Sequence, residues 1–123
     1  MAKKVLIVDD EPNIVTALEY LLTKNGYQVT VAPNGEEALA AVEQDRPDLV
    51  LLDIMMPKLN GYEVCRRIRE RPEGAAIRIV VLSAKGREVD VSKGLALGAD
   101  LYVTKPFSNT ELVSKIGALL GEP

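Results

Sequence analysis

The stretch Leu49-Val50-Leu51-Leu52-Asp53 decides the fold of this chain, because four aliphatic residues in a row end abruptly in a carboxylate. A short, continuous apolar run of this kind is typical of a strand that is buried on both faces, as in a parallel sheet. Asp53 then lies at the carboxyl end of the strand, where open α/β sheets bind their ligands. An unpaired charge would not stabilise a buried strand, so other groups must accompany Asp53.

Composition limits the classes of protein to consider. The 123 residues predict a single domain, residues 1–123, and the hydrophobic fraction of 47% is enough for a real core. The net charge of −3 argues against direct nucleic-acid binding. No apolar run approaches the length of a membrane span, and the run after Lys4 is too short for a signal peptide. The sequence therefore predicts a single domain without a membrane segment.

The cysteine and histidine content narrows the chemistry further. Cys65 is the one cysteine, so an internal disulfide is excluded, which fits a reducing cytoplasm. The chain has no histidine. Its absence removes histidine-based acid–base catalysis and histidine-containing zinc sites. Any phosphohistidine that takes part in the function must come from another molecule.

Strand-like and helix-like segments alternate along the whole chain. The predicted strands are residues 5–8, 29–31, 49–53, 77–82 and 101–104, and a helix pattern follows each of them. This alternation predicts a parallel sheet with right-handed crossovers and helices on both faces. The predicted fourth helix carries only Val91, Leu95 and Leu97 as an apolar stripe, so we expect it to be the least firmly packed.

Local signals complete this outline. Ser108-Asn109-Thr110-Glu111 predicts a capping box for the fifth helix. The carboxylates before Pro12 are available as caps for the first helix. The arginines of the third helix are most simply interpreted as a solvated outer face, with a partner surface or an acidic neighbour as the alternative; they are Arg66, Arg67, Arg69 and Arg71.

Four of the five predicted strands end in a polar residue that could do chemistry. These residues are Asp9 and Asp10 after the first strand, Asp53 in the third, Ser83 after the fourth and Lys105 after the fifth. Because the carboxyl ends of parallel strands share one edge, these side chains are expected to converge. Like charges at close range cost stability, and a hard divalent cation such as Mg²⁺ resolves the repulsion.

Three carboxylates, a Mg²⁺ ion, a lysine and a hydroxyl suit phosphoryl transfer. One aspartate can act as nucleophile and become an aspartyl phosphate, while metal and lysine neutralise charge on the phosphoryl oxygens. Asp53 is the best candidate for the nucleophile, since it stands alone on the strand expected to be central. Asp9 and Asp10 are adjacent and are better interpreted as metal ligands.

With these residues in place, the chain resembles the receiver domain of bacterial two-component response regulators, from the first strand to the last helix. The resemblance is carried by several motifs in order and at matching spacing: Val8-Asp9-Asp10-Glu11, Leu52-Asp53-Ile54-Met55-Met56-Pro57 with Gly61, Ser83-Ala84, and Gly98-Ala99-Asp100 followed by Tyr102-Val103-Thr104-Lys105-Pro106-Phe107. It implies a flavodoxin-like, CheY-like (βα)5 domain, with the five strands in the order 2-1-3-4-5 and the site at the switch point between the first and third strands. The resemblance is equally consistent with a stand-alone regulator and with the receiver domain of a longer protein.

The resemblance also implies a ligand set and a reaction. Asp53 would take a phosphoryl group from the phosphohistidine of a sensor histidine kinase or histidine phosphotransfer protein. Asp10 and Asp53 would bind Mg²⁺ directly with the backbone carbonyl of Met55, and Asp9 largely through water. The protein would then catalyse only its own phosphorylation and dephosphorylation. Its output would be binding to an effector or an attached output domain that the sequence does not name.

The resemblance implies a switching mechanism as well. Lys105 would contact the phosphoryl group, Ser83 would move towards a phosphoryl oxygen, and Tyr102 would swing inward behind it. The Lys105–Pro106 bond is expected to be cis. Output would pass through the face formed by the fourth helix, fifth strand and fifth helix.

Two positions differ from the common pattern of the family. Ser83 stands where threonine is commoner; the hydroxyl is kept and the methyl group that helps to fix its rotamer is lost. Leu101 stands where many transcription-factor receivers carry a second acidic residue of a salt-bridged dimer face. Lys93, Glu111 and Lys115 could still supply part of such a face, which allows at most a weak dimer.

Two other functions stay open as alternatives from the residues alone. A Mg²⁺-dependent phosphohydrolase with an aspartyl-phosphate intermediate often carries a second acid two residues after the nucleophile, and here that position is Met55. A flavin- or nucleotide-binding module would favour a glycine-rich phosphate loop after the first strand, where this chain has Asp9-Asp10-Glu11-Pro12.

Overall fold

The computed structural model describes residues 3–53, 61–83, 92–93 and 95–121. Its strands are β1 (Lys4–Val8), β2 (Gln28–Ala32), β3 (Leu49–Asp53), β4 (Arg78–Ser83) and β5 (Leu101–Thr104). All neighbouring strands are parallel and form one sheet in the order β2-β1-β3-β4-β5. The predicted strand order is therefore confirmed.

The described helices are α1 (Pro12–Lys24), α2 (Gly35–Asp45), α3 (Gly61–Glu70) and α4 (Asn109–Leu119), and a 3-10 helix covers Pro72–Ala76. The predicted fourth helix lies partly outside the described residues, which omit residues 84–91 and 94 and therefore Val91 of its predicted apolar stripe. The label α4 is used here for the helix that corresponds to the fifth predicted helix. Around position 94, residues 92–93 and 95–96 are helical, and Leu95 is 46% exposed. Within the described ranges, no helix is both long and apolar enough to cross a membrane.

Residues of the central strands alternate between two separate apolar layers. Leu6, Val50 and Ile79 belong to a layer with α2 and α3. Their chain neighbours Ile7 and Leu51 belong to the opposite layer, with α1 and α4. Because both faces are covered, every position in these strands can be apolar, which explains the continuous aliphatic runs of the sequence.

The strand β3 is the centre of the sheet. It lies between β1 and β4, and all of its residues, Leu49–Asp53, are buried. Transfer of its aliphatic side chains from water contributes roughly 1.5–3 kcal/mol each. This burial fixes the backbone of Asp53 firmly at the carboxyl edge of the sheet.

The N-terminal cap of α4 agrees with the sequence prediction, whereas that of α1 differs from it. The hydroxyl of Ser108 accepts the backbone N–H of Glu111 at the start of α4, as the capping box predicts. At the start of α1, the N-cap residue Glu11 makes no side-chain cap bond. Instead, Oδ1 of Asp9 accepts the N–H of Glu11 at 2.9 Å, so this carboxylate orders the turn between β1 and α1.

The expected solvated arginine face of α3 is present only in part. Arg66 and Arg67 are exposed and pair with Glu63 on the same helix. Arg66, and then Arg67, hold the pKa of Glu63 below its ordinary value by hydrogen bonding, and Glu63 in turn raises the pKa of Arg66. For Arg69 the simplest interpretation, a solvated side chain, is wrong, and the alternative of an acidic neighbour is confirmed. Its side chain is only 21% exposed and binds Asp100, because its long stem lets the guanidinium reach the turn before β5.

Because Cys65 is buried, we expect the stability of the fold to fall at alkaline pH. The residue is buried in α3, its Sγ donates to the carbonyl of Leu97 at 3.4 Å, and burial raises the pKa of the thiol to about 11. In the unfolded chain the thiol loses its proton near pH ~8.5. Between these values the unfolded state binds fewer protons than the folded state, so stability falls as pH rises, by up to about 1.4 kcal/mol per pH unit.

We expect Cys65→Ala to lack this part of the alkaline loss. Urea unfolding of the two proteins at a series of pH values from 8 to 11 measures it, because tyrosine and lysine titrations are common to both and cancel in the difference. The difference in unfolding free energy should begin to shift in favour of the variant near pH 8, and it should change most steeply between about pH 9 and the folded-state pKa of about 11. Parallel curves over the whole range would contradict the prediction.

Candidate functional site

The site lies where the carboxyl ends of four strands meet. Asp9 follows β1, Asp53 ends β3, Ser83 ends β4 and Lys105 follows β5. The register holds these ends level, since Asp53 is opposite Leu82 and Ser83 is opposite Thr104. Two hydrogen bonds extend the ladders past the strand ends: Asp9 N–H donates to the carbonyl of Ala32, and Lys105 N–H to that of Ser83. The predicted convergence of these residues is therefore present.

Three carboxylates form a compact cluster at this edge. Asp9, Asp10 and Asp53 each offer an oxygen, and these oxygens all lie within 4.8 Å of one another. Asp9 and Asp53 are buried, at 2% and 3% exposure, whereas Asp10 is exposed. Burial and proximity both make the charged forms costly without a counter-charge.

The donor set fits a hard divalent cation. All of the donors are oxygens, as Mg²⁺ and Ca²⁺ prefer, and one side of the cluster is open to water through Asp10. A divalent cation bound among these oxygens would offset the repulsion between the three carboxylates.

Lys105 supplies a positive charge inside the cluster. Its Nζ lies 3.4 Å from Oδ2 of Asp9 and 3.7 Å from Oδ2 of Asp53, and its side chain is 14% exposed. The ammonium bridges the first and third strands at the switch point of the sheet order. One ammonium against three carboxylates still leaves excess negative charge, which a bound cation would balance.

Glu11 is a member of the site that sequence reasoning did not single out. Its Oε1 lies 3.9 Å from Nζ of Lys105, although its side chain is 60% exposed. Its place in the acidic run Asp9-Asp10-Glu11 was the available signal. It stood apart from the predicted ligands because it is the N-cap residue of α1 rather than a strand end.

The predicted switch residues lie on adjacent strands. Ser83 is completely buried at the end of β4. Tyr102 lies on β5 opposite Val81, partly buried against the layer of α2 and α3. The Lys105–Pro106 bond is cis, as the resemblance implies. Met55, the predicted carbonyl ligand, lies outside the described residues.

Comparison with known proteins agrees with this geometry. The family profile of the response regulator receiver domain matches residues 5–117. The chain is 49% identical over 120 residues to the alkaline phosphatase synthesis transcriptional regulatory protein PhoP of Bacillus subtilis. That match covers 98% of this chain and 49% of PhoP, so the chain spans about half the length of this curated relative.

Solved structures show the same fold. The chemotaxis protein CheY4 of Vibrio cholerae superposes with a TM-score of 0.92 at 29% identity, covering 97% of this chain and 99% of that one. The receiver domain of the sensor histidine kinase PA1611 from Pseudomonas aeruginosa PAO1 has a TM-score of 0.91 at 32% identity, covering 99% and 100%. Its structure holds a magnesium ion in the active-site cleft. Sequence profile, relatives and fold agree: this chain belongs to the receiver domains of two-component response regulators.

Proposed function

We propose that this receiver domain accepts a phosphoryl group on Asp53 from the phosphohistidine of a sensor histidine kinase or a histidine phosphotransfer protein. The observation that carries the proposal is the Asp53 carboxylate, which is buried at the sheet edge, 3.7 Å from Nζ of Lys105 and clustered with Asp9 and Asp10. The 123 residues contain no histidine, so the donor imidazole lies outside them.

The transfer is a substitution at phosphorus. A carboxylate oxygen of Asp53 forms a bond to phosphorus while the bond from phosphorus to the imidazole nitrogen breaks, and its electron pair stays with that nitrogen. Lys105 holds its ammonium where charge on the phosphoryl oxygens needs compensation. The rigid β3 strand keeps the nucleophile in place for this attack.

Mg²⁺ is the cation that we propose for the acidic cluster. Asp10, Asp53 and the backbone carbonyl of Met55 would hold it directly, and Asp9 largely through water. When bound, it supplies charge neutralisation between the carboxylates and the incoming phosphoryl oxygens. The oxygen-only donor set supports this assignment.

The phosphoryl group then acts as a switch. It adds charge and acceptor oxygens beside Ser83, whose hydroxyl would donate to one of them, with Tyr102 moving inward behind it. The change would shift the equilibrium between conformations of one face of the domain. This face is formed by the predicted fourth helix, by β5 and by α4, which is the last helix of the domain. Lys93, Leu95, Glu111 and Lys115 are exposed on these elements and would meet the effector, an output domain or a second copy in a weak dimer.

A phosphohydrolase would use the same nucleophile with turnover as its output. Membership of the receiver family favours the switch, and Met55 stands where such enzymes carry an acid. We therefore assign no turnover on external phosphate esters; in our proposal, the protein catalyses only phosphoryl uptake and loss at its own Asp53.

Magnesium should stabilise the folded protein through this cluster. At a concentration one hundred times the dissociation constant, a ligand of the folded state adds about 2.7 kcal/mol to the unfolding free energy. We expect Asp10→Asn to lose most of this gain, and to be more stable than the original protein in EDTA by about 0.5–1 kcal/mol because one repulsive charge is removed. Urea unfolding with Mg²⁺ and with EDTA measures both effects.

Asp45→Asn is the matched control, since Asp45 lies exposed at the end of α2, away from the cluster. It should keep the full Mg²⁺ gain. An undiminished gain in Asp10→Asn would contradict the assignment of this carboxylate as a ligand.

Incubation with Mg²⁺ and acetyl phosphate should add one phosphoryl group, detected by intact mass spectrometry, and Asp53→Asn should abolish the adduct. Asp48→Asn should keep it, since Asp48 precedes the same strand at the opposite edge of the sheet, where it accepts the N–H of Lys4. Repeated hydrolysis of phosphate esters without a trapped adduct would favour the phosphohydrolase. No adduct with any donor would contradict both functions.

The hydroxyl of Ser83 should be needed for the response that follows phosphorylation. In the original protein, the adduct should change amide hydrogen exchange in residues 95–104. Ser83→Ala should still form the adduct but show less than half of that change, while Ser83→Thr, which keeps a hydroxyl, should show all of it. An equal response in Ser83→Ala would exclude the hydroxyl from the switch.

A further inference from the structure

The Arg69 side chain donates more hydrogen bonds than Arg66 or Arg67 of the same helix, and it uses all three guanidinium nitrogens. Nε donates to the carbonyl of Gly98 at 2.9 Å, and Nη1 donates to the carbonyls of Gly74 and Ile77 at 2.7 and 2.6 Å. Nη2 donates to Oδ2 of Asp100 at 2.8 Å. One side chain thus joins the end of α3 to two separate turns.

Two glycines in this network allow their segments to pack closely against α3. A Cβ atom at Gly98 would lie 2.6 Å from Cγ of Arg69, and φ at Gly98 is +109°, which side chains rarely adopt. A Cβ atom at Gly74 would lie 1.8 Å from the backbone oxygen of Ile68. Glycine at position 98 therefore leaves room for the Arg69 side chain, and glycine at position 74 lets the 3-10 helix pack against the backbone of Ile68 in α3.

Asp100 connects Arg69 to the sheet through its hydrogen bonds with Ile79. Its Oδ2 also accepts the N–H of Ile79, while its own N–H donates to the carbonyl of Ile79, each at 2.8 Å. This reciprocal pair sets the register at the start of β5. Strand β5 lies at the edge of the sheet and is held laterally by β4 alone. Its start therefore depends on the contacts of Asp100.

The other end of β5 delivers a site residue. Leu101–Thr104 separate Asp100 from Lys105, and the Cα atoms of these two residues are therefore roughly 16 Å apart in a strand. Both ends of β5 belong to one continuous ladder with β4, from Val80 opposite Leu101 to Ser83 opposite Thr104, so we expect a change of register at the start of the strand to reach its other end. The ladder ends with the N–H of Lys105 donating to the carbonyl of Ser83 at 2.7 Å.

We propose that Arg69 is a positioning residue for phosphoryl transfer: through Asp100 and the carbonyl of Gly98 it fixes the start of β5, and thereby the placement of Lys105 at the acidic cluster. This inference rests on the proposed function. Arginine is required because its planar fork serves a carboxylate and several carbonyls at once, which a lysine ammonium cannot do.

The test compares the rate of phosphoryl uptake from acetyl phosphate in Arg69→Gln, Asp100→Asn and the double variant. Each single change should lower the rate about tenfold, since a misplacement of about 1 Å in a reacting group can cost about a hundredfold. The double variant should be no slower than the slower single variant, because both act along one path. Asp100→Asn keeps an acceptor for Ile79 and carries the test by the same criteria if Arg69→Gln does not fold.

Two controls separate positioning from general stability. Arg67→Gln removes an exposed arginine of the same helix and should leave the rate unchanged. Leu22→Ala removes a buried side chain on the opposite face of the sheet and should lower stability without lowering the rate at a temperature where every variant is folded. As a second readout, the amide of Lys105 should exchange about tenfold faster in Arg69→Gln than in Leu22→Ala.

An unchanged rate in Arg69→Gln, or an equal fall in Leu22→Ala, overturns the inference. Faster exchange without a slower rate overturns it too, because the strand would then move without consequence for the site. Failure of the proposed function is distinguishable, since it shows as the absence of any adduct on the unaltered protein.

Discussion

Repulsion among the carboxylates of Asp9, Asp10 and Asp53 is the electrostatic cost that the rest of this structure has to offset. Three acids whose oxygens lie within 4.8 Å are held together only because stable elements impose their positions. The aliphatic strands on which two of them are placed are buried on both faces, and that burial offsets the electrostatic cost. Lys105 compensates part of the charge. The remaining negative charge is what a bound divalent cation would balance.

This constraint explains why the polar residues of the site come from the ends of several strands. Each strand contributes at most a few polar atoms at its end, and none of them is useful without the others. The parallel register brings Asp53, Ser83 and Lys105 to one edge although they are far apart in the sequence. Chemistry here therefore depends on sheet geometry, and a small displacement of one strand changes the whole cluster.

Much of this could be predicted from the sequence. Strands buried on both faces read as unbroken aliphatic runs, and a polar residue directly after such a run marks the sheet edge, which is why Asp53 and Lys105 were found. For Arg69 the sequence offered an acidic neighbour only as an alternative, and it did not predict the rest of the network, because three of the partners are backbone carbonyls, which have no sequence signature. Its acidic partner is 31 residues away in sequence. Glu11 was passed over because helix-capping and site roles use the same residue types.

Close approach at Gly74 and Gly98 has a consequence for how this domain can be recombined. Because an added Cβ atom at either glycine would overlap α3, the arginine, both glycines and Asp100 form one unit drawn from three separate segments of the chain. A chimaera that exchanges α3 alone for the equivalent helix of another receiver would separate members of this unit. Exchange boundaries placed before α3 and after β5 would keep all four residues in one exchanged segment.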